Sequence, residues 1–88
     1  MIGLTDKISL NVRVAGLNLE HNFLIPVGMS VADATELIVR ALCDEYRGVK
    51  STVSKSHALM QASSGRLLPP ECSLRQLGIV RGEKMILI

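Results

Sequence analysis

A hairpin pattern near the start of the chain constrains the fold more than any other feature of the sequence. Between residues 8 and 15, apolar side chains alternate with polar or small ones, a period of two that is typical of a half-buried strand. A Gly-Leu-Asn turn follows at residues 16–18, and a second alternating stretch runs over residues 19–25. Pro26 should end that strand because proline has no N–H to donate. The pattern therefore predicts a β-hairpin with one face packed on a core.

A single long helix is predicted directly after the hairpin. Ser30 is a good N-cap, and Asp33 stands three residues later, close to a capping box. Gly48 is predicted to close the helix as a C-cap residue. The positions that share one side at 3.6 residues per turn are Val31, Ala34, Ile38, Ala41, Leu42 and Glu45. This side should cross the apolar face of the sheet.

The remaining chain alternates short strands with turns. Residues 47–56 follow neither period and are predicted to form a mobile surface loop. Strands are expected at residues 57–62, 66–68 and 84–88, with one helical turn at 73–79 that points Leu74, Leu77 and Ile79 inward. The predicted core includes Val12, Ile38, Leu42, Leu59, Leu77 and Leu87. This order predicts an α+β fold: a mixed sheet of four to five strands with one long helix packed on one face.

Length and composition bound the class of protein. The 88 residues are enough for a single domain over residues 1–88, in which residues 1–6 are predicted to be flexible. No apolar run approaches the ~18–20 residues of a membrane span, so direct membrane insertion is not expected. Asp6, Lys7 and Asn11 interrupt any signal-peptide core, which favours a cytoplasmic location. Cys43 and Cys72 are far apart in sequence and are predicted to be reduced, mostly buried and inert.

The second half of the sequence resembles ubiquitin-like proteins. The run SGRLLPPECSLRQLGIVRGEKMILI has their layout of turn, short strand, loop, inward Leu, Gly-Ile, polar turn and final strand. It is similar in particular to the YukD/EsaB family of small bacterial ubiquitin-like proteins, and the residues that carry this similarity are Glu71-Cys72, Leu74, Gly78-Ile79, Gly82-Glu83 and Ile88. The resemblance implies a ubiquitin-like β-grasp fold. It also implies an accessory or regulatory role in a bacterial type VII (ESX-type) secretion system, through contacts with machinery components.

The residues that enzymes and cofactor sites use are scattered. His21 and His57 lie on predicted strands, and neither has a spacing to Cys43 or Cys72 that suggests a catalytic set. No pair has zinc-ligand spacing, and the glycines do not form a phosphate-binding loop. Basic runs and aromatic platforms for nucleic acid are also missing. The sequence therefore predicts neither an enzyme nor a cofactor, metal or nucleic-acid site.

The end of the sequence bears on covalent modification. Covalent modifiers and sulfur carriers of this fold end in a mobile Gly-Gly, whereas this sequence ends with Met85-Ile86-Leu87-Ile88. We therefore expect a non-conjugating protein. Two alternatives remain open: a detached ubiquitin-like docking domain of a larger protein, and a modifier or sulfur carrier with a truncated tail.

The exposed sheet face is the candidate protein-binding surface. Strand phase points Met60, Ile86 and Ile88 outward, flanked by Lys84 and Arg66. The alternatives are that these are singly exposed apolar residues or that the 69–73 loop partly covers them. A competing surface is the basic loop around Lys50 and Lys55, because residues 47–88 carry a net charge of +5 and residues 1–46 a net charge of −3. The partner and the oligomeric state do not follow from the sequence.

Overall fold

The computed structural model describes residues 6–46 and 58–88. The predicted flexible start lies almost wholly outside these residues, as do the predicted loop at 47–56, the Gly48 C-cap and His57. The elements are β1 (Lys7–Val14), β2 (Glu20–Pro26), α1 (Val31–Glu45), β3 (Leu59–Gln61), β4 (Arg66–Leu67) and β5 (Glu83–Leu87).

The strands form one five-stranded mixed sheet in the order β2-β1-β5-β3-β4. β1 and β5 are parallel neighbours at its centre, and the other neighbouring pairs are antiparallel. The predicted α+β architecture, a mixed sheet with one long helix, is confirmed.

The predicted hairpin forms with a register that separates apolar from polar side chains. Ile8 lies opposite Ile25 and Leu10 opposite Phe23 on the core side of the sheet. Gly16 adopts φ of 78° in the connecting turn, a conformation that glycine reaches without steric cost. Pro26 is the last residue of β2, so the strand ends where predicted. It is tolerated there because β2 is an edge strand, and its missing N–H leaves the ladder intact.

The first three N–H groups of α1, those of Val31, Ala32 and Asp33, all donate to acceptors outside the helix ladder. The Ser30 hydroxyl accepts from the Asp33 N–H at 3.1 Å, as predicted for an N-cap. The Val31 N–H donates to the Cys72 carbonyl at 2.8 Å, and the Ala32 N–H to the Pro70 carbonyl at 3.0 Å. The 69–73 segment is thereby held against the helix N-terminus.

The buried stripe of α1 differs from the predicted stripe at three positions, Thr35, Ala41 and Glu45. Val31, Ala34, Thr35, Ile38 and Leu42 are buried, and the Thr35 hydroxyl is satisfied by the Val31 carbonyl at 2.7 Å. Ala41 and Glu45, predicted on the inward side, are exposed. Ala41 lies at the margin of the stripe, and Glu45 is the last helical residue, where its charge reaches solvent.

The core lies between α1 and the sheet. Its buried side chains are Leu10, Val12, Val14, Ile25, Val31, Ala34, Ile38, Leu42, Leu59, Leu68, Leu74, Ile79, Met85 and Leu87. Leu77, predicted to be buried, is only partly so. The predicted helical turn is closed by the Leu77 N–H, which donates to the Ser73 carbonyl at 3.2 Å, and it directs Leu74 and Ile79 inward ahead of Leu77.

Candidate protein-docking surface

The face of the sheet opposite α1 carries a row of apolar side chains. Met60 lies between Ile86 on β5 and Leu67 on β4 in the strand register. Cross-strand partners share a face, so these three side chains adjoin one another. Ala58 and Ile88 exchange backbone hydrogen bonds of 3.1 and 3.0 Å, which continues the β3–β5 pairing and puts Ile88 on the same face as Ile86. We call Met60, Leu67, Ile86 and Ile88 the open-face patch.

Four of the five predicted binding residues lie together on this face. Met60 and Ile86 are half-buried by their neighbours, and Ile88 is 38% exposed. Lys84 is exposed two residues before Ile86 on the same strand, and therefore on the same side of the sheet.

Arg66 lies elsewhere. The hairpin register pairs it with Gln61, whose amide donates to the Glu83 carboxylate at 2.7 Å. Gln61 alternates with Met60, so Arg66 occupies the helix-side phase of β4. Leu67, 58% exposed, takes the position next to Met60. Sequence reasoning missed Leu67 because a shift of one residue in the β3–β4 register exchanges the two faces, and the sequence does not specify that register.

The 69–73 segment does not cover the open-face patch. Its carbonyls at Pro70 and Cys72 accept hydrogen bonds from the first turn of α1, which lies on the other side of the sheet. The structure therefore favours an uncovered surface over the covered alternative.

A polar half of the same face adjoins the patch. Arg13 lies opposite Ile86 and Glu20, and Asn11 lies opposite Lys84. The Asn11 amide donates to the Asn22 side-chain oxygen at 2.9 Å across the hairpin. The face thus changes from apolar at β4 and β3 to mostly polar at β1 and β2, where the exposed Leu24 is an exception.

A second concave surface lies on the helix side of β4. It is an apolar cleft lined by α1 residues between Val31 and Val39, by Ala58 and by residues 67–70. Its walls include Val31, Val39, Leu68, Pro69 and Pro70.

The candidate catalytic side chains have structural contacts. The His21 ring packs edge-on against Phe23 at 4.9 Å between centroids, and its Nδ1 lies 3.5 Å from the Tyr46 hydroxyl. Cys43 and Cys72 are reduced thiols, and each is mostly buried, as predicted. In the described part of the chain, no three His, Cys, Asp or Glu side chains cluster to hold a metal ion. Over the same residues, no helix has both the length and the apolar character needed to span a membrane.

Comparison with solved structures identifies the fold as the ubiquitin-like β-grasp. The ubiquitin-like domain of the Mycobacterium tuberculosis type VII secretion protein ECCD1 superimposes with a TM-score of 0.71 at 14% identity, covering 96% of this chain and 99% of that one. The EccD5 ubiquitin-like domain from Mycobacterium xenopi gives a TM-score of 0.73 at 12% identity, covering 94% and 93%.

The same fold also occurs within an enzyme complex. A chain of the toluene 4-monooxygenase HD complex with 4-bromobenzoate matches with a TM-score of 0.73 at 10% identity, covering 93% and 96%. No protein-family profile and no curated protein matches the sequence. At these identities the likeness establishes the fold.

Proposed function

We propose that this protein is a non-conjugating ubiquitin-like docking protein, an accessory or regulatory component of a bacterial type VII secretion system that acts on the cytoplasmic side of the machinery. The observation that carries the docking function is the open-face patch. Four apolar side chains from three neighbouring strands adjoin on a sheet face that no described element covers. Contiguous exposed apolar surface of this kind marks interaction sites.

The link to secretion has two supports. The sequence resembles the YukD/EsaB family along nearly its whole length, and two structural neighbours are ubiquitin-like domains of type VII secretion proteins. Genomic context tests it: genes for a secretion ATPase and for WxG-type substrates should lie beside this gene. Their absence would leave docking as the function and remove its assignment to secretion.

A docking domain of a larger protein is the second candidate. The structural neighbour ECCD1 favours it, because there the fold is one domain of a secretion protein. Detection of the native protein in cells by an antibody separates the two proposals. A species near 9.5 kDa supports the free protein, and a larger one supports the domain. A modifier or sulfur carrier would instead show a glycine tail after Ile88 in the native reading frame.

The docking surface is tested with Met60→Asp. The charge falls in the middle of the open-face patch, so capture of purified secretion-machinery components should be lost while the circular dichroism spectrum is unchanged. The matched control is Leu24→Asp, which places the same charge at a 67% exposed leucine on edge strand β2. Undiminished binding by folded Met60→Asp would refute the open-face patch as the docking site. Binding would then be sought at Lys50 and Lys55, which lie outside the described residues.

A further inference from the structure

The two edges of the sheet differ in how far they are closed to further pairing. β4, at one edge, is only two residues long, and a very short strand is one of the devices by which proteins blunt an exposed edge. β2, at the other edge, has seven residues and pairs with β1 in a register without a bulge. It contains neither Lys nor Arg, and its proline is the last residue. β2 is therefore the edge at which a further strand can join the sheet.

The outward hydrogen-bonding groups of β2 follow from its pairing with β1. At one end of the hairpin the Val14 N–H donates to the Leu19 carbonyl at 3.0 Å. Because the backbone groups of antiparallel strands point alternately toward and away from the neighbouring strand, every second residue after Leu19 faces β1. The residues between them direct their N–H and carbonyl groups outward, and these are Glu20, Asn22 and Leu24. Among the described strands β2 pairs only with β1, so these groups line an open edge.

Features of β2 itself select one antiparallel register between two copies of the chain. With Asn22 opposite the partner's Asn22, Glu20 lies opposite the partner's Leu24, and the three outward pairs form about six hydrogen bonds. The next register in one direction brings Pro26 into the ladder, where it has no N–H and its carbonyl already accepts a backbone bond of 3.1 Å. The next register in the other direction sets Leu24 against the partner's Asn18, which precedes β2. The register centred on Asn22 therefore forms the longest ladder.

The same register brings compatible side chains together. On the helix side, His21 lies opposite the partner's Phe23 at a site without backbone hydrogen bonds, where paired side chains are closest. Both rings are half-buried and pack edge-on within one chain at 4.9 Å between centroids, so the pairing extends an aromatic row. On the open face, Leu24 is 67% exposed and lies against the aliphatic part of the partner's Glu20. No two carboxylates oppose one another across this edge, because Glu20 is the only acidic residue of β2.

From these observations we infer that a second copy of the chain pairs with β2, which joins the two five-stranded sheets into one continuous sheet about a two-fold axis at Asn22. Cross-strand partners share a face, so both helices lie on one side of this sheet and both open-face patches on the other. β1 separates β2 from the nearest strand of the patch, so both patches stay uncovered. One strand from each copy makes an interface smaller than the ~800 Å² per partner of a standard complex, so the dimer forms at high protein concentration.

Sedimentation equilibrium and ¹⁵N NMR of the full chain test the pairing between about 20 μM and about 1 mM, the range in which small interfaces associate. We expect the mean mass to rise toward that of a dimer and the amide signals of Glu20, Asn22 and Leu24 to shift with concentration. A chain that stays monomeric at about 1 mM would overturn the inference and leave the β2 edge to a strand of another protein. Concentration-dependent shifts confined to the open-face patch would also overturn it.

Opposite charges placed at Asn22 test the register. Because this position faces itself across the two-fold axis, Asn22→Lys and Asn22→Glu should each weaken association roughly fivefold by opposing like charges. An equimolar mixture of the two variants should recover to within about twofold of the unmodified chain, since opposite charges then meet. Asn11→Ala is the matched control: it removes the side-chain bond between Asn11 and Asn22 without adding charge, and should change association by less than about twofold. Circular dichroism verifies that each variant is folded, and a mixture of folded variants that does not recover would overturn the inference.

Association through β2 can be separated from docking at the open-face patch. Met60→Asp should leave association unchanged, because β1 and β5 lie between β2 and the strand that carries Met60. Leu24→Asp opposes a like charge to the partner's Glu20 and should weaken association roughly fivefold, while docking is retained. Association that is lost in Met60→Asp and kept in Leu24→Asp would overturn the inference.

Discussion

Gly78 shows how one residue fixes the path of the chain into the last strand. It adopts φ of 69° at the end of the turn that follows Ser73. Ser73 and Gln76 exchange two hydrogen bonds, Gln76 Oε1 accepting at 2.8 Å and Ser73 Oγ at 3.1 Å. Beyond the turn, the Ile79 N–H donates back to the Leu74 carbonyl at 3.1 Å, so both apolar residues enter the core.

We expect Gly78→Ala to lower the free energy of unfolding by about 1–2 kcal/mol, because an L side chain resists positive φ. An added Cβ would meet no atom within 4 Å, so the cost comes from the backbone alone. Gly28→Ala is the control, since Gly28 has equally open space and no positive φ. Urea denaturation measures both variants. Equal stabilities would contradict a conformational requirement at Gly78.

At the scale of an element, α1 depends on the packing of its inner stripe more than on its surface ion pair. Ile38 is fully buried at the centre of its inner stripe, whereas the adjacent Leu37 is 41% exposed. The Glu36–Arg40 pair at 3.3 Å is exposed and contributes at most a few tenths of a kcal/mol. Burial of the stripe therefore dominates the energetics of the helix.

Ile38→Ala should cost about 2–4 kcal/mol, since it removes buried methyl and methylene groups and leaves a cavity. Leu37→Ala removes a similar number of carbons from the exposed side and should cost less than about 1 kcal/mol. Chemical denaturation of the two variants gives the difference directly. A loss below about 0.5 kcal/mol for Ile38→Ala would mean that the helix is packed in another phase.

At the scale of the whole molecule, the two thiols report on how the folded chain shields its interior. Cys43 packs against the core from α1. Cys72 is held in the segment that caps the same helix, where its carbonyl accepts from Val31. Both thiols are mostly buried, so access to each is restricted by neighbouring elements.

We expect both thiols to react several times more slowly with a thiol reagent in the folded protein than in denaturant. Mass spectrometry after timed labelling at neutral pH assigns the rate to each cysteine. The variants Cys43→Ser and Cys72→Ser serve as controls for the assignment. A thiol that is labelled equally fast in both states would contradict its predicted inert character.

The sequence by itself determined the order of elements and most of the core. The period-two alternation over residues 8–15 predicts which face of the first strand is buried, because every second strand residue points to the same side. The pattern after Ser30 does the same for the helix, where every third or fourth residue lies on one side. Hence Val12, Ile38, Leu42, Leu59 and Leu87 could be placed in the core before the fold was known. The same strand alternation predicted that Met60 and Ile86 lie on the face of the sheet away from the core.

Only the tertiary structure decided which side chains adjoin across strands. The register of the two-residue strand β4 places Leu67, and not Arg66, beside Met60. The parallel pairing of β1 with β5 places Arg13 next to Ile86, although the two residues lie near opposite ends of the sequence. Such pairings depend on turn geometry and long-range packing, which leave no local periodicity in the sequence. For the same reason the 69–73 segment could be assigned to the helix N-terminus only from its hydrogen bonds with Val31 and Ala32.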